Sequence, residues 1–268
     1  MRRPATPAAL RGGDGRPSSP LARIASALEM ELRLTGRRLE NLFVTLVLPV
    51  VLLLFFGSVD ILPAAATATP GSRPIDAVLP AILATAIVAA GLVNLGISTG
   101  FERSYGVLKR LGGSPLTRGQ LLVAKIATIV VVEVVQAVLL IGLAIAAFGW
   151  RPAAGWDPLT VAVAIALGTG AFSALGLLLA GTLRAEATMA LTNALFLLAL
   201  LLGGLLVPAH QLPGVLGAFA SLLPSAALAD SLRIGLGSST GDVVGPLLLL
   251  GAWAAGASAL TAHTFRWE

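Results

Sequence analysis

The chain alternates long apolar runs with short polar stretches. Six windows, 42–62, 77–99, 121–148, 159–183, 187–207 and 243–262, are apolar almost throughout. Each approaches or exceeds the roughly 20 helical residues needed to cross a hydrocarbon core about 30 Å thick. None alternates apolar and polar residues as the strands of a membrane barrel do, and in lipid a helix satisfies every backbone group within itself. The pattern predicts an all-α integral membrane protein, with six transmembrane helices in one domain over 20–268.

Two segments depart from that pattern. Over 20–40, Leu21, Ile24, Ala25, Leu28, Leu32 and Leu39 recur at near-helical spacing, while Arg23, Glu29, Arg33, Arg37 and Glu40 take the other face. Ser19 and Pro20 suit a cap and a first helical position. This predicts an N-terminal amphipathic helix lying in the membrane interface, with a plain extension of the first span as the alternative; Gly36 allows a bend between the two. Over 208–241, the stretches 212–223 and 226–236 are too short to span, and Pro213, Gly214, Gly217 and Pro224 interrupt them. They are predicted to dip into the bundle and return as an external re-entrant hairpin before the last helix, because irregular backbone at membrane depth needs protein or a water-filled cavity to satisfy it. A loop resting on the headgroups is the alternative.

The N-terminal 1–19, rich in Pro, Gly, Ser and Arg, is expected to be a disordered cytosolic tail. The forty residues ahead of the first run argue against a cleaved signal, whose charged region is short and whose apolar region is only about 7 to 15 residues.

Composition agrees with lipid as the main solvent: 56% of the 268 residues are hydrophobic and 12% charged, far from the usual soluble balance. Fifteen of the 18 Lys and Arg residues fall on the side that holds both termini and the 101–118 loop; only Arg73, Arg151 and Arg233 fall on the other. The positive-inside rule therefore places both termini in the cytosol. The net charge of +5 follows from this topology and from contact with anionic membrane lipids, with no need of nucleic acid. The absence of cysteine excludes disulfides, thiolate catalysis and Cys-ligated metal. High Ala, Gly and Arg usage points, by composition alone, to a bacterium and hence to its cell membrane.

The most informative loop lies between the second and third runs. Residues 101–111 are helix-compatible, Gly112 and Gly113 can end that helix, and Thr117 with Gln120 forms a capping box before Leu121. Glu102, Arg103, Lys109 and Arg110 supply charge, and Tyr105, Val107, Leu108 and Leu111 supply apolar surface that a partner could cover. On composition alone, a solvated connector rich in positive-inside charge explains the segment as well.

Within the runs, Glu133, Gln136, Asn94 and Asn193 stand out, because a charge at mid-bilayer costs at least about 2.5 to 3.5 kcal/mol. Gln136 is three residues after Glu133, so both can face the bundle. These four either line a translocation path or bond between helices. Lys125 and Glu186 sit near span ends, where they can snorkel. Gly96 and Gly100 form a GxxxG pair for close helix approach; the same residues with Ser98 match GxSxG, but that motif needs a strand-turn-helix setting. His210 and His263 are predicted on opposite sides of the membrane, so no single metal site joins them. No GxxxxGK[ST] sequence occurs, so any ATP must be held by a partner.

The order of features resembles the membrane subunit of an ABC-2 type ABC transporter, similar to the daunorubicin-resistance export permeases, from Pro20 to the C-terminus. Its most specific part is Glu102, Arg103, Gly106, Leu108, Lys109 and Leu111, then Ser114, Pro115, Leu116, Thr117 and Lys125. The resemblance implies that 101–118 is the coupling loop, with Glu102, Arg103, Tyr105, Leu108, Lys109, Leu111 and Pro115 docking a separate ATPase. It also implies that ATP and magnesium are bound by that partner, that no cofactor or metal is bound by this chain, and that a second permease copy or a homologous permease completes the transporter. The short 63–76 loop leaves no room for a large external domain. The expected function is the permease subunit of an ATP-driven exporter of a hydrophobic or amphipathic drug, lipid or lipid-linked glycan. The alternative is an ATP-independent carrier or a structural membrane protein.

Overall fold

A computed structural model describes residues 19–37, 39–59, 73–112, 117–152, 155–205 and 207–265. All regular elements among them are helical. The expected tail over 1–19, apart from Ser19, and most of the first loop lie outside the described residues.

Helix α1 (Pro20–Arg37) begins as its sequence predicts, with the Ala22 N–H donating to the Ser19 hydroxyl at 3.2 Å. Its apolar stripe is only partly covered: Leu21 is exposed, Ile24, Leu28 and Leu32 are half-buried, and the residues it buries fully are Ala27 and Glu31. Helix α2 (Leu39–Ser58) follows as a separate element one residue beyond Arg37.

Helix α3 (Pro74–Val88) continues through a π-helical turn (Ala89–Asn94) into α4 (Leu95–Ser104). The resulting 31-residue rod, Pro74–Ser104, is the centre of the molecule: 78% of its apolar window is buried, against 17% for the last helix. A short helix α5 (Val107–Gly112) precedes α6 (Arg118–Phe148), whose capping box forms as expected. The Gln120 N–H donates to the Thr117 hydroxyl at 3.3 Å, and the Thr117 N–H donates to Gln120 Oε1 at 3.0 Å. Helix α7 (Pro158–Thr182) is capped by Asp157, which accepts from the Leu159 N–H at 3.0 Å. The Thr160 hydroxyl, also donating to it, helps hold that exposed carboxyl below its ordinary range. Helices α8 (Ala185–Leu202), α9 (Gly214–Ala220), α10 (Pro224–Gly235) and α11 (Val244–Thr264) complete the chain.

Five stretches, Pro74–Ser104, Gly119–Phe148, Pro158–Thr182, Ala185–Leu202 and Val244–Thr264, are long and apolar enough to cross a membrane. The first expected span is the 20-residue α2, whose described apolar part is the shorter Thr45–Ser58. The pair α9–α10 also passes by length and hydropathy, but it is bent by 79° at its break, within the stretch that proline and glycine interrupt.

Its depth can be read from its neighbours. A Cβ on Gly168 of α7 would meet Leu228 of α10 at 2.8 Å. The Trp253 indole N–H of α11 donates to the Leu222 carbonyl at 3.0 Å, at the α9–α10 bend. Gly168 and Trp253 lie about 15 Å and 14 Å from the first residues of their helices at 1.5 Å per residue. The bend is thus sunk well below the helix ends, while Gly235 returns to the start of α7, its carbonyl accepting from the Asp157 N–H at 2.8 Å. Along α10, Ala226, Ala227, Leu228, Ala229 and Leu232 are buried. In contrast, Val215, Leu216 and Phe219 of α9 face outward.

Helices α4 and α7 meet backbone to backbone. A Cβ on Gly176 would lie 2.6 Å from the Gly91 carbonyl oxygen, and one on Gly96 would lie 3.2 Å from Gly176 Cα. Gly100 has looser contacts, 3.6 Å to Ala185 and Thr188 of α8. The small-residue pair therefore serves helix packing, and Ser98 between them donates to the Leu95 carbonyl within the same helix at 3.2 Å.

Candidate docking element and the polar contacts beneath it

The expected single helix over 101–111 is two. Tyr105 and Gly106 form a turn in which Gly106 adopts a φ of 71°, a left-handed conformation that a residue with a Cβ adopts only at a cost. The Arg110 N–H donates to the Gly106 carbonyl at 3.2 Å, restarting the chain as α5. Gly106 itself was the available signal for this break.

Leu108 anchors α5. It is fully buried, in one apolar cluster with Leu95, Leu121, Leu122, Leu177 and Phe265. Phe265 also lies against Gly181 of α7, so the end of α11 helps to floor α5. On the outer side, Tyr105 is 73% exposed, and Val107, Lys109 and Arg110 are exposed with it. The side chain of Leu111 and all of Pro115 lie outside the described residues.

Glu102 and Arg103 turn inward. Arg103 donates from Nη2 to the Leu183 carbonyl just beyond α7. Glu102 Oε2 accepts from Lys125 Nζ at 2.7 Å, and the same ammonium lies 2.9 Å from Glu31 Oε1 on α1. Lys125 does not snorkel: its side chain is 2% exposed. Sequence reasoning missed this because the partners stand 94 and 23 positions away, and helical spacing gives no hint of either contact. The one available signal was a lysine followed by a long apolar run with two acids on neighbouring elements.

Beside this ion-pair cluster runs a cleft of about 100 Å³ between α1, α2, α4 and α6, lined by Glu31, Thr45, Asn94, Glu102, Lys125 and Val132 among others. Asn94 donates to the Thr45 hydroxyl at 3.1 Å, and Gln136 donates to the Thr45 carbonyl at 2.6 Å, so both tie to α2. Glu133 and Gln136 are both buried, on the shared face their spacing predicts. The Thr169 hydroxyl of α7 bonds to Glu133 Oε2, while Glu133 Oε1, Thr99 Oγ1 and Ser173 Oγ have no hydrogen-bond partner among the described residues. Asn193 does not join this group. It is exposed on α8 and donates back to the Met189 carbonyl at 2.8 Å. The apolar residues surrounding α8 gave no face on which to place it.

The opposite end holds a second buried cation that the charge count had assigned to an external loop. Arg233 of α10 is 6% exposed. It donates from Nη2 to the carbonyls of Gly204 (2.5 Å) and Leu205 (3.2 Å), and from Nη1 to Asp230 (2.9 Å). These carbonyls belong to the irregular chain after α8, which at membrane depth must be satisfied by protein. Among the described residues no group of three or more His, Asp or Glu converges as metal ligands.

A rod-centred helical bundle with an interrupted hairpin at one end and an anchored surface helix at the other defines a multi-pass membrane protein. Its family follows from sequence: the family model for ABC-2 type transporters matches residues 24–236, from α1 to the end of α10, and the chain belongs to that family. It is a permease subunit of an ABC transporter. Members of the family generally work with a separate ABC ATPase. No curated protein matches the chain.

Proposed function

We propose that the chain is the membrane half of an ATP-driven exporter, and that α5 is where the ATPase docks. The observation that carries this reading is the construction of the α4–α5 element. Leu108 fixes it from below, and Tyr105, Val107, Lys109 and Arg110 are turned outward together. Such a rigid platform with an aromatic, an apolar and two cationic contacts suits a protein partner with an acidic rim. Both termini and α5 lie in the cytosol on this reading, with the leucine stripe of α1 in the headgroup layer. ATP and magnesium are held by the partner, and a second permease subunit, identical or homologous, completes the route. The apolar exterior and the sparse polar groups suit a hydrophobic or amphipathic substrate, such as a drug, lipid or lipid-linked glycan, leaving the cell.

The test is to tag the C-terminus, extract from the native membrane in mild detergent and identify stoichiometric companions. A soluble protein carrying a P-loop is expected. Tyr105→Ala with Lys109→Glu and Arg110→Glu should reduce its recovery at least about tenfold, the loss expected when a few anchoring residues dominate an interface. Undiminished recovery from a folded triple variant would remove α5 from the docking role.

A further inference from the structure

The three charges at the α5 end come from three helices: Glu31 on α1, Glu102 on α4 and Lys125 on α6. All are shielded, with side-chain exposures of 11%, 13% and 2% respectively. Helix α1 fully buries only Ala27 and Glu31, with Ile24, Leu28 and Leu32 half-buried beside them, and the ion pair gives it a directional contact with α6. Meanwhile α4 leads through the Tyr105–Gly106 turn directly into α5. The ammonium thus stands at the junction of α1, the α4–α5 element and the first turns of α6.

Well-packed apolar side chains would often stabilise such a junction equally well, because removing charges from water offsets much of their attraction. The charged arrangement differs in being selective for register. Sliding α1 by one turn, about 5.4 Å, would withdraw Glu31 from Lys125 and leave a shielded carboxylate without this partner. A contact with one acceptable position transmits displacement, whereas a greasy contact can slip.

We propose that Lys125 is a positioning residue that makes α1, the end of α4 and the start of α6 one moving body, so that α1 follows when a bound ATPase displaces α5. This rests on the ATP-coupled reading above, and the experiment separates the two. The chain has no cysteine, so paired spin labels placed on the purified subunit before it is recombined with the ATPase report on this chain alone. Ser26 of α1, Ser104 of α4 and Ser258 of α11 are all exposed.

In the complex with its co-purifying ATPase, the Ser26→Cys/Ser104→Cys pair should give one narrow distance, unchanged by ATP with vanadate. The Ser26→Cys/Ser258→Cys and Ser104→Cys/Ser258→Cys pairs should both shift on adding that nucleotide. With Lys125→Met, the first distance should broaden, and the Ser26 to Ser258 shift should be lost while the Ser104 to Ser258 shift persists. Exchanging the charges, Glu31→Lys with Lys125→Glu, keeps one ammonium and two carboxylates at the junction and should restore both narrowness and shift. A merely structural lysine would not separate the two shifts in this way. If Lys125→Met does not fold, Glu31→Gln, which keeps the Lys125–Glu102 pair, should show the same loss. A folded variant in which α1 still shifts with α4 would overturn the proposal. If no nucleotide moves Ser104 in the parent, the ATP-coupled reading falls, and an unbroadened Ser26 to Ser104 distance in the variant would separately refute the clamp.

Discussion

The two ends of the bundle each bury a basic side chain, and they use it in opposite ways. At the α5 end, Lys125 is shared by carboxylates of two other helices. At the opposite end, Arg233 directs one guanidinium nitrogen to the carbonyls of Gly204 and Leu205. The compact ammonium suits a point between two acids, and the guanidinium fork can bond carbonyls and Asp230 together. The first contact links separate elements and depends on where each one stands. The second completes hydrogen bonds that the break after α8 leaves open, so the hairpin holds its shape. One end is built to be moved, and the other is built to stay.

The sharpest challenge to that contrast is Arg233→Met. It orphans two buried carbonyls, each costing about 1 to 3 kcal/mol, so a loss of about 3 kcal/mol is expected, seen as a clear fall in the thermal unfolding midpoint in detergent. An unchanged midpoint would mean the hairpin needs no such support. A middle-sized effect is expected for Arg103→Ala, which removes one charge-assisted bond to the Leu183 carbonyl. It should lower stability by about 1 to 2 kcal/mol while leaving recovery of a docked ATPase intact, since the side chain points inward. Lost recovery at full stability would return Arg103 to the docking surface. The smallest effect sets the baseline. Arg33 and Glu29 pair at 2.5 Å on α1, but both are largely exposed, so Arg33→Ala should change stability by less than about 0.5 kcal/mol.

What could be read from the chain divides along the same line. Features set by neighbours in sequence were legible: the Thr117–Gln120 capping box, the cap at Ser19, the shared buried face of Glu133 and Gln136, and the proline- and glycine-marked break between α9 and α10. Of the features set by tertiary meeting, the close approach at Gly96 was legible from its small-residue spacing, and the buried contacts of the cations were not. The place of Lys125 in the chain predicts snorkelling, which requires only a nearby helix end, whereas its actual contacts require that α1 and α4 converge there. Arg233 reads as a loop charge because nothing local reveals that broken backbone lies beside it. Glu102 and Arg103 were grouped with Lys109 by proximity along the chain, yet the Gly106 turn separates an inward-facing pair from an outward-facing one.

The crossing of Gly91, Gly96 and Gly176 has a mechanical meaning. Backbones in contact leave no side chain between them to compress, so the Pro74–Ser104 rod is held there as a beam on a fulcrum. From Gly91 to Pro74 is about 26 Å and from Gly96 to Ser104 about 12 Å at the helical rise. The longer arm is gripped by α2, α6, α7 and α10, so a load applied at α5 reaches the crossing through the short arm alone.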